Sequence, residues 1–182
     1  MHKVNKILVP IYFSTESASA LKHALSLAKE TRAELVALHV IEKTNHSDFF
    51  VASVAMLEGS PFPVNEFPTV PVDVLLRERS LDLWNFIGRT IEANNQIKIT
   101  KRVRMGGWLK TMTATIHEEG IDLVVIELRE RMSFPNLGVL KLIKMIRRLP
   151  CPVLLGSPTG HHHSEPRKPL FWFQPAPRET SA

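Results

Sequence analysis

The chain has 182 residues, of which 44% are hydrophobic and 23% charged, so it is long enough for one full-sized core but too short for two comfortable domains. Its single cysteine, Cys151, excludes an intrachain disulfide, and the opening segment is too short and too interrupted for a signal peptide or a membrane span, so we expect a cytoplasmic protein without membrane association. The net charge of +5 arises within residues 128–150, where six cations face Glu130 alone, so the chain is not basic throughout.

The first 41 residues predict a strand, a helix and a second strand. Residues 6–11 form a short apolar run of strand length, and residues 14–17 offer a helix start before apolar residues recur at helical spacing as far as Glu30. Residues 34–41 are apolar at nearly every position. Such a strand is expected where helices cover both faces of a parallel sheet.

A long connection interrupts this alternation. Residues 44–72 contain four prolines, which forbid a continuous helix, so we predict a loop, a candidate lid, with one short helix near residues 49–57.

From residue 81 the alternation resumes. A helix is predicted from the stripe Leu81, Trp84, Ile87 and Ile91, then a strand over 97–105, and then a helix through Leu109, Met112 and Ile116 that ends at Gly120. A strand over 121–126, a helix through Leu140, Ile143 and Ile146, and a last strand over 150–155 complete the pattern. Proline cannot donate to a ladder, so we place this last strand at an edge. The whole predicts one α/β domain over residues 1–156, with a parallel sheet and helices on both faces.

The predicted fourth helix carries the positive charge on one face. Lys141, Lys144 and Arg148 share that face, and cations in a last turn interact favourably with the negative end of a helix. A nucleic-acid surface would also show interleaved aromatic residues, which are absent here. We therefore favour a solvated helix face and keep RNA binding, with its steep salt dependence, as the alternative.

Residues 157–182 have the composition of a tail. Three histidines, His161, His162 and His163, precede an aromatic cluster flanked by prolines and formed by Leu170, Phe171, Trp172 and Phe173. This cluster is a candidate docking segment. It can dock on the chain's own surface or on a sister subunit, which we favour, or on a third protein as an extended peptide.

The order of these segments resembles the universal stress protein family over residues 3–156. The resemblance is carried by residues 6–11 followed by Phe13 and Ser14, by the Ala- and Leu-rich first helix, and by the segments 37–40, 121–126 and 150–155. It implies a five-stranded parallel sheet of strand order 3-2-1-4-5, with adenine nucleotide alpha hydrolase-like or flavodoxin-like layering. It also implies a cytoplasmic, stress-linked role and homodimers that commonly pair through the last strand, with Val153, Leu154 and Leu155 as interface candidates.

Family branches that bind ATP carry an aspartate two residues after the proline of the first strand. They also carry a Gly-x-x-Gly motif after the fourth strand, followed about nine residues later by glycine and then serine or threonine. This chain departs from that pattern: Tyr12 stands at the aspartate position, Glu127 and Glu130 at the first two glycine positions, and Val139 where a hydroxyl is expected. Gly138 is the only candidate for the third glycine, and its spacing is off by about a residue. Val40, at the end of the second strand, completes the positions of this degenerate nucleotide site.

These replacements argue against the family's mode of ATP binding. Glycine lets the backbone approach phosphate closely, and helix N–H groups must point at it. A glutamate blocks that approach and brings like charges together, which costs several kcal/mol at about 4 Å even with surface-like screening. We expect no cofactor, with Tyr12 filling the adenine space.

Other candidates are weaker. Arg129 and Arg131 could hold a different anion, but alternating Arg and Glu is more typical of a solvated turn. The histidine run lacks ligand spacing for a metal. His39 fits a packed histidine and Cys151 a packed thiol. Glu118 and Glu119 fit a surface pair.

The resemblance and the altered motif together predict a homodimeric regulatory or interaction module in stress response that does not bind ATP and is not an enzyme. A protein partner through the tail is a further expectation; membrane and nucleic-acid partners are not expected. The alternative is a nucleotide-sensing member that binds ATP or AMP through a rearranged phosphate site.

Overall fold

A computed structural model describes residues 3–42, 71–92, 95–127, 139–156 and 171–173. Within them, one sheet has the strand order β3-β2-β1-β4-β5-β6. The strands are β1 (Lys6–Pro10), β2 (Glu34–Ile41), β3 (Ile99–Met105), β4 (Leu123–Glu127), β5 (Val153–Gly156) and β6 (Phe171–Phe173). The helices are α1 (Thr15–Thr31), α2 (Val72–Thr90), α3 (Trp108–Glu119) and α4 (Val139–Ile146). None of these helices is both long and apolar enough to cross a membrane.

The first five strands form the predicted parallel sheet in the order 3-2-1-4-5. Lys6 is in register with Glu34, Leu35 with Ile99, and Val124 with Val153. Strands β1 and β4 lie in the middle and are almost wholly buried, because helices cover both faces of the sheet. The five-stranded α/β prediction is confirmed.

Two apolar clusters hold the helices to the sheet. Alternate residues of each strand point to opposite faces, so one cluster joins β-strand residues to α3 and α4, while the other joins the intervening residues to α1 and α2. Met112 and Ile146 are buried in the first cluster, and Leu21 and Ala24 in the second.

Local sequence signals set the helix ends. Ser14 caps α1 by accepting a hydrogen bond from the Ser17 amide, as the predicted helix start requires. Gly120 ends α3 in the left-handed region at φ 64°, where a glycine is favoured. Both ends were predicted from sequence.

The apolar stripe predicted for α2 was partly wrong. Ile87 is buried as expected, but Leu81 and Trp84 are 59% and 62% exposed, and Leu83 takes their place in the core. Trp84 instead lies under the Lys101 ammonium, which sits 3.1 Å from the ring centroid. A cation over an indole is an attractive contact that suits an exposed tryptophan.

The tail adds a strand that the sequence did not predict. β6 pairs antiparallel with β5, so that Phe173, Trp172 and Phe171 stand opposite Val153, Leu154 and Leu155. The prediction that β5 is an edge strand is therefore wrong in the full sheet, although β5 ends its parallel part. The predicted loop over 44–72 and short helix over 49–57 lie, except for residues 71 and 72, outside the described residues.

Candidate functional site

The candidate site lies at the carboxyl ends of β1, β2 and β4. The chain runs from β1 outward to β2 and β3 on one side, and returns to β4 and β5 on the other. Strand order therefore reverses between β1 and β4, which is where open parallel sheets bind ligands. Three predicted positions, Tyr12, Val40 and Glu127, lie at this edge of the sheet.

Serines at the turn from β1 into α1 use the hydrogen-bonding groups available there. The Tyr12 amide donates to Ser17 Oγ at 2.9 Å, and the Ser17 amide donates to Ser14 Oγ at 3.2 Å. A free helix start offers its amides to an anion, but here one of them is satisfied within the chain. Ser17 is 4% exposed, so this arrangement is part of the core.

Phe13 crosses the same turn in a strained conformation. Its φ of 56° lies in the left-handed region, which a bulky side chain rarely adopts. Its ring packs on His39, with centroids 4.4 Å apart, and edge-on against Phe86 at 5.8 Å. Aromatic contacts to two elements hold the turn in this conformation and offset the strain.

His39 is a half-buried polar residue held by the backbone. Its Nδ1 lies 2.8 Å from the Ile11 carbonyl oxygen, so a protonated Nδ1 donates to that carbonyl. Burial lowers the pKa of His39, and the bond to Ile11 partly opposes the shift. This contact supports the interpretation of His39 as a packed histidine, because its Nδ1 is already bonded to the Ile11 carbonyl.

Tyr12 lies beside Trp108, the first residue of α3. Tyr12 leaves 37% of its surface exposed, yet burial of the hydroxyl raises the pKa of the phenol. The contact with Trp108 opposes this rise, and the negative charge of Glu42 adds to it. The buried Trp108 Nε1 has no partner at hydrogen-bonding geometry within the described part of the chain, so we regard its contact with the phenol as a weak polar one. Tyr12 is therefore a neutral phenol near pH 7.

Glu127 ends β4 with its side chain only 1% exposed. It stands opposite Gly156 of β5, and a Cβ at Gly156 would lie 2.7 Å from Glu127 Cγ. The carboxylate thus occupies the space that the missing Gly156 side chain leaves. His23 Nδ1 of α1 lies 4.0 Å from Glu127 Oε1, the outer limit of an ion pair.

A cleft of about 410 Å³ opens beside this carboxylate. It is lined by α1 and the end of β4, through Ser19, Lys22, His23, Ser26, Leu27, Glu30 and Glu127. Its lining mixes both signs of charge. No group of three or more histidine, cysteine or acidic side chains within the described ranges is placed to hold a metal ion.

The structure divides the predicted nucleotide-site residues between the two faces of the sheet. Val40 belongs to the cluster on the α3 face, and Tyr12 lies beside Trp108 on that face, whereas Glu127 faces α1. Val139 begins α4. The predicted positions Glu130 and Gly138, and the anion candidates Arg129 and Arg131, lie outside the described residues.

The remaining candidates have structural surroundings. Cys151 is 6% exposed, and burial, with a smaller effect of Asp122, raises its pKa to about 12, which keeps a thiol rather than a reactive thiolate. Glu118 pairs with Arg104 at 2.6 Å and Glu119 with Arg102 at 2.7 Å. The interpretations as packed thiol and surface pair fit these contacts.

Sequence reasoning missed three residues of this site. His23 is one polar residue among several in the first helix, and neither His23 nor Trp108 belongs to a recognisable sequence motif. The nearby Gly106 was a usable signal, because its φ of 151° favours glycine and a Cβ at this position would lie only 2.9 Å from Thr111 Oγ1. Phe13 could not be recognised as strained, since φ is not readable from an aromatic residue.

Comparison with known proteins points to one family. The family model for the Universal stress protein family matches residues 3–155. None of the curated proteins gives a significant match.

Solved structures share the fold at low sequence identity. The hypothetical protein MJ0577 is 19% identical, with a TM-score of 0.60 over 88% of this chain and 100% of that one. Universal stress protein UspA from Lactobacillus plantarum is 18% identical, with a TM-score of 0.50 over 85% and 99%. A universal stress protein in complex with cAMP is 17% identical, with a TM-score of 0.52 over 87% and 100%.

Proposed function

Because the chain belongs to the universal stress protein family, we propose that it is a homodimeric regulatory or interaction module of stress response that does not hold ATP in the family's phosphate-binding mode. It acts by binding partners rather than by catalysis. The observation that carries the proposal is Glu127. A carboxylate, buried against Gly156, stands where close approach of the backbone to phosphate needs a glycine.

Electrostatics supports this interpretation of the strand-reversal point. A carboxylate and a phosphate oxygen about 4 Å apart repel by about 4 kcal/mol at the screening typical of a protein surface. Ser14 caps the start of α1, so one helix amide that could offset this repulsion is already bonded. A triphosphate placed here would meet negative charge with reduced compensation.

The second candidate is a nucleotide-sensing protein with a rearranged phosphate site. It is favoured by the α3 face, where the Tyr12 phenol and the Trp108 indole stand beside the buried Val40 at the strand ends. These groups suit a base or ribose better than a triphosphate. A universal stress protein of the same fold has been solved with cAMP, a nucleotide that carries a single phosphate.

The proposal is tested by melting the purified chain with and without ATP and magnesium. A ligand present at a hundred times its Kd stabilises a folded protein by about 2.7 kcal/mol, equivalent to roughly 5 to 11 °C for a domain of this size. We expect no shift with ATP. A shift of this size with ATP contradicts the proposal, and a shift with cAMP alone supports the second candidate.

A matched pair of variants sharpens the result. Glu127→Gly combined with Glu130→Gly restores bare backbone and removes two charges, so any residual ATP affinity should rise. Glu92→Gly removes a carboxylate that follows α2 and precedes β3, at the opposite edge of the sheet, and should leave the ATP response unchanged. Mass spectrometry of the denatured protein will show whether a nucleotide copurifies.

A further inference from the structure

The two ends of the parallel sheet differ in their chemistry. β3 carries three cations in seven residues, and these are engaged: Lys101 with Trp84, and Arg102 and Arg104 with acids of α3. Charged edge strands resist pairing with another sheet. β5 reads Val-Leu-Leu-Gly, has no charge and is buried throughout. The edge of β5 that faces away from β4 therefore has no charge that would resist pairing, and β6 pairs with this edge.

β6 is built as a terminal strand. It has three residues, and the sequence places Pro169 before it and Pro175 after it, which limits the length of the ladder on either side. Short strands bounded by proline are poor templates for further pairing. β6 thus ends the sheet, whereas β5 alone would leave an edge that could pair with another strand.

We propose that β6 is an intramolecular cap that controls whether β5 pairs with a second copy of this chain. This inference rests on the homodimer of the proposed function and names its regulation: the capped chain is a monomer, and the homodimer forms through β5 only when β6 is released. A strand has two hydrogen-bonding sides, and β5 uses one for β4 and the other for β6. Pairing of Val153–Leu155 with a second copy and pairing with β6 therefore exclude one another.

The short connection between β5 and β6 favours pairing of β5 with β6 of the same chain over pairing with a second copy. Residues 157–170 link β5 to β6, and a short linker of this kind gives an effective concentration of about 1 mM. A second copy at about 10 µM would thus be at a disadvantage of about a hundredfold against a tail of equal intrinsic affinity. Three residues form few ladder bonds, so β6 remains displaceable by an event that weakens it or binds it elsewhere.

The first test uses the full chain with Phe171→Pro and Trp172→Pro combined. Along an antiparallel strand, inward and outward amides alternate, so two consecutive prolines remove at least one donor that faces β5. Thr180→Pro with Ser181→Pro, beyond β6, is the control. Light scattering at about 10 to 100 µM should give the 20.6 kDa monomer for the wild type and control, and a twofold higher mass for the β6 variant.

The second test asks which copy supplies β6. Leu154 and Trp172 stand directly opposite one another, at a separation that a cystine can span, so Leu154→Cys with Trp172→Cys in a Cys151→Ala background should oxidise. A non-reducing gel should show the monomer mass with a closed internal loop. The oxidised chain should stay monomeric even if the proline variant does not fold.

The outcomes separate this inference from the proposed function. A cystine that joins two chains means that tails are exchanged, and overturns the cap. A wild-type dimer with an internal cystine also overturns it, but leaves the homodimer in place on another surface. A proline variant that melts cooperatively yet stays monomeric refutes both the role of β6 as a cap and the homodimer through β5. This outcome does not affect the ATP measurement, which tests the rest of the proposed function.

Discussion

The contact between Glu127 and Gly156 predicts a strong coupling between the two positions. Gly156→Ala places a methyl group 2.7 Å from Glu127 Cγ, well inside ordinary contact distance, and because Cγ is only two bonds from Cα the whole Glu127 side chain must shift to relieve the contact. Overpacking of this kind costs about 1 to 3 kcal/mol of unfolding free energy. With Glu127→Gly in place the clash disappears, and Ala in place of Gly then stabilises by about 0.4 to 1 kcal/mol, because Gly156 does not need a left-handed backbone.

A double-mutant cycle measured by urea unfolding should therefore give a coupling of about 1.5 to 4 kcal/mol. Gly88→Ala is the matched control, since a Cβ there meets nothing within 4 Å and α2 should gain about 1 kcal/mol in either background. If the effects of Gly156→Ala and Glu127→Gly simply add, within about 0.5 kcal/mol, then Glu127 does not fill this space.

Three other measurements follow from the described contacts. Cys151, buried and with its pKa raised to about 12, should react with iodoacetamide at pH 8 far more slowly in the native chain than in urea; equal rates would show an accessible thiol. Folding lowers the pKa of His39, so the unfolded chain binds more protons than the folded chain below about pH 6.5. The free energy of unfolding should therefore fall as pH drops from 7 to 5, and His39→Gln should reduce this fall. An unchanged pH dependence in the variant would refute the assignment. Asp122→Ala leaves two backbone amides at the start of β1 without their carboxylate partner, so the urea midpoint should fall by the equivalent of about 1 to 3 kcal/mol; an unchanged midpoint would mean that water replaces the carboxylate at no cost.

The parallel sheet was predictable because its signals are redundant. Each buried strand is apolar at nearly every position, the start of α1 and the end of α3 carry the recognisable residues Ser14 and Gly120, and the alternation of strands and helices indicates a parallel sheet. The strand order 3-2-1-4-5 came from the resemblance to the family. The face of α2 was less predictable. Leu81 and Leu83 both repeat at helical spacing with neighbouring apolar residues, and only packing against the sheet decides which one is buried.

The site was predictable in position but not in arrangement. Strand order alone places Tyr12, Val40 and Glu127 at one edge of the sheet. The side on which each one lies depends on strand alternation: Glu127 is two residues beyond Val125, and both face α1. The pairing of β6 with β5 could not be read from sequence, because a three-residue strand has no period and its partner is set by the free edge it finds.

The function proposed for this chain depends on the absence of triphosphate binding at the end of β4. Isothermal titration of the full chain with ATP and magnesium tests it most directly. We expect no saturable heat with ATP up to about 1 mM, an affinity weaker than about −4 kcal/mol. Saturable one-to-one binding near micromolar Kd, or about −8 kcal/mol, would show that Glu127 does not prevent phosphate binding and would contradict the account.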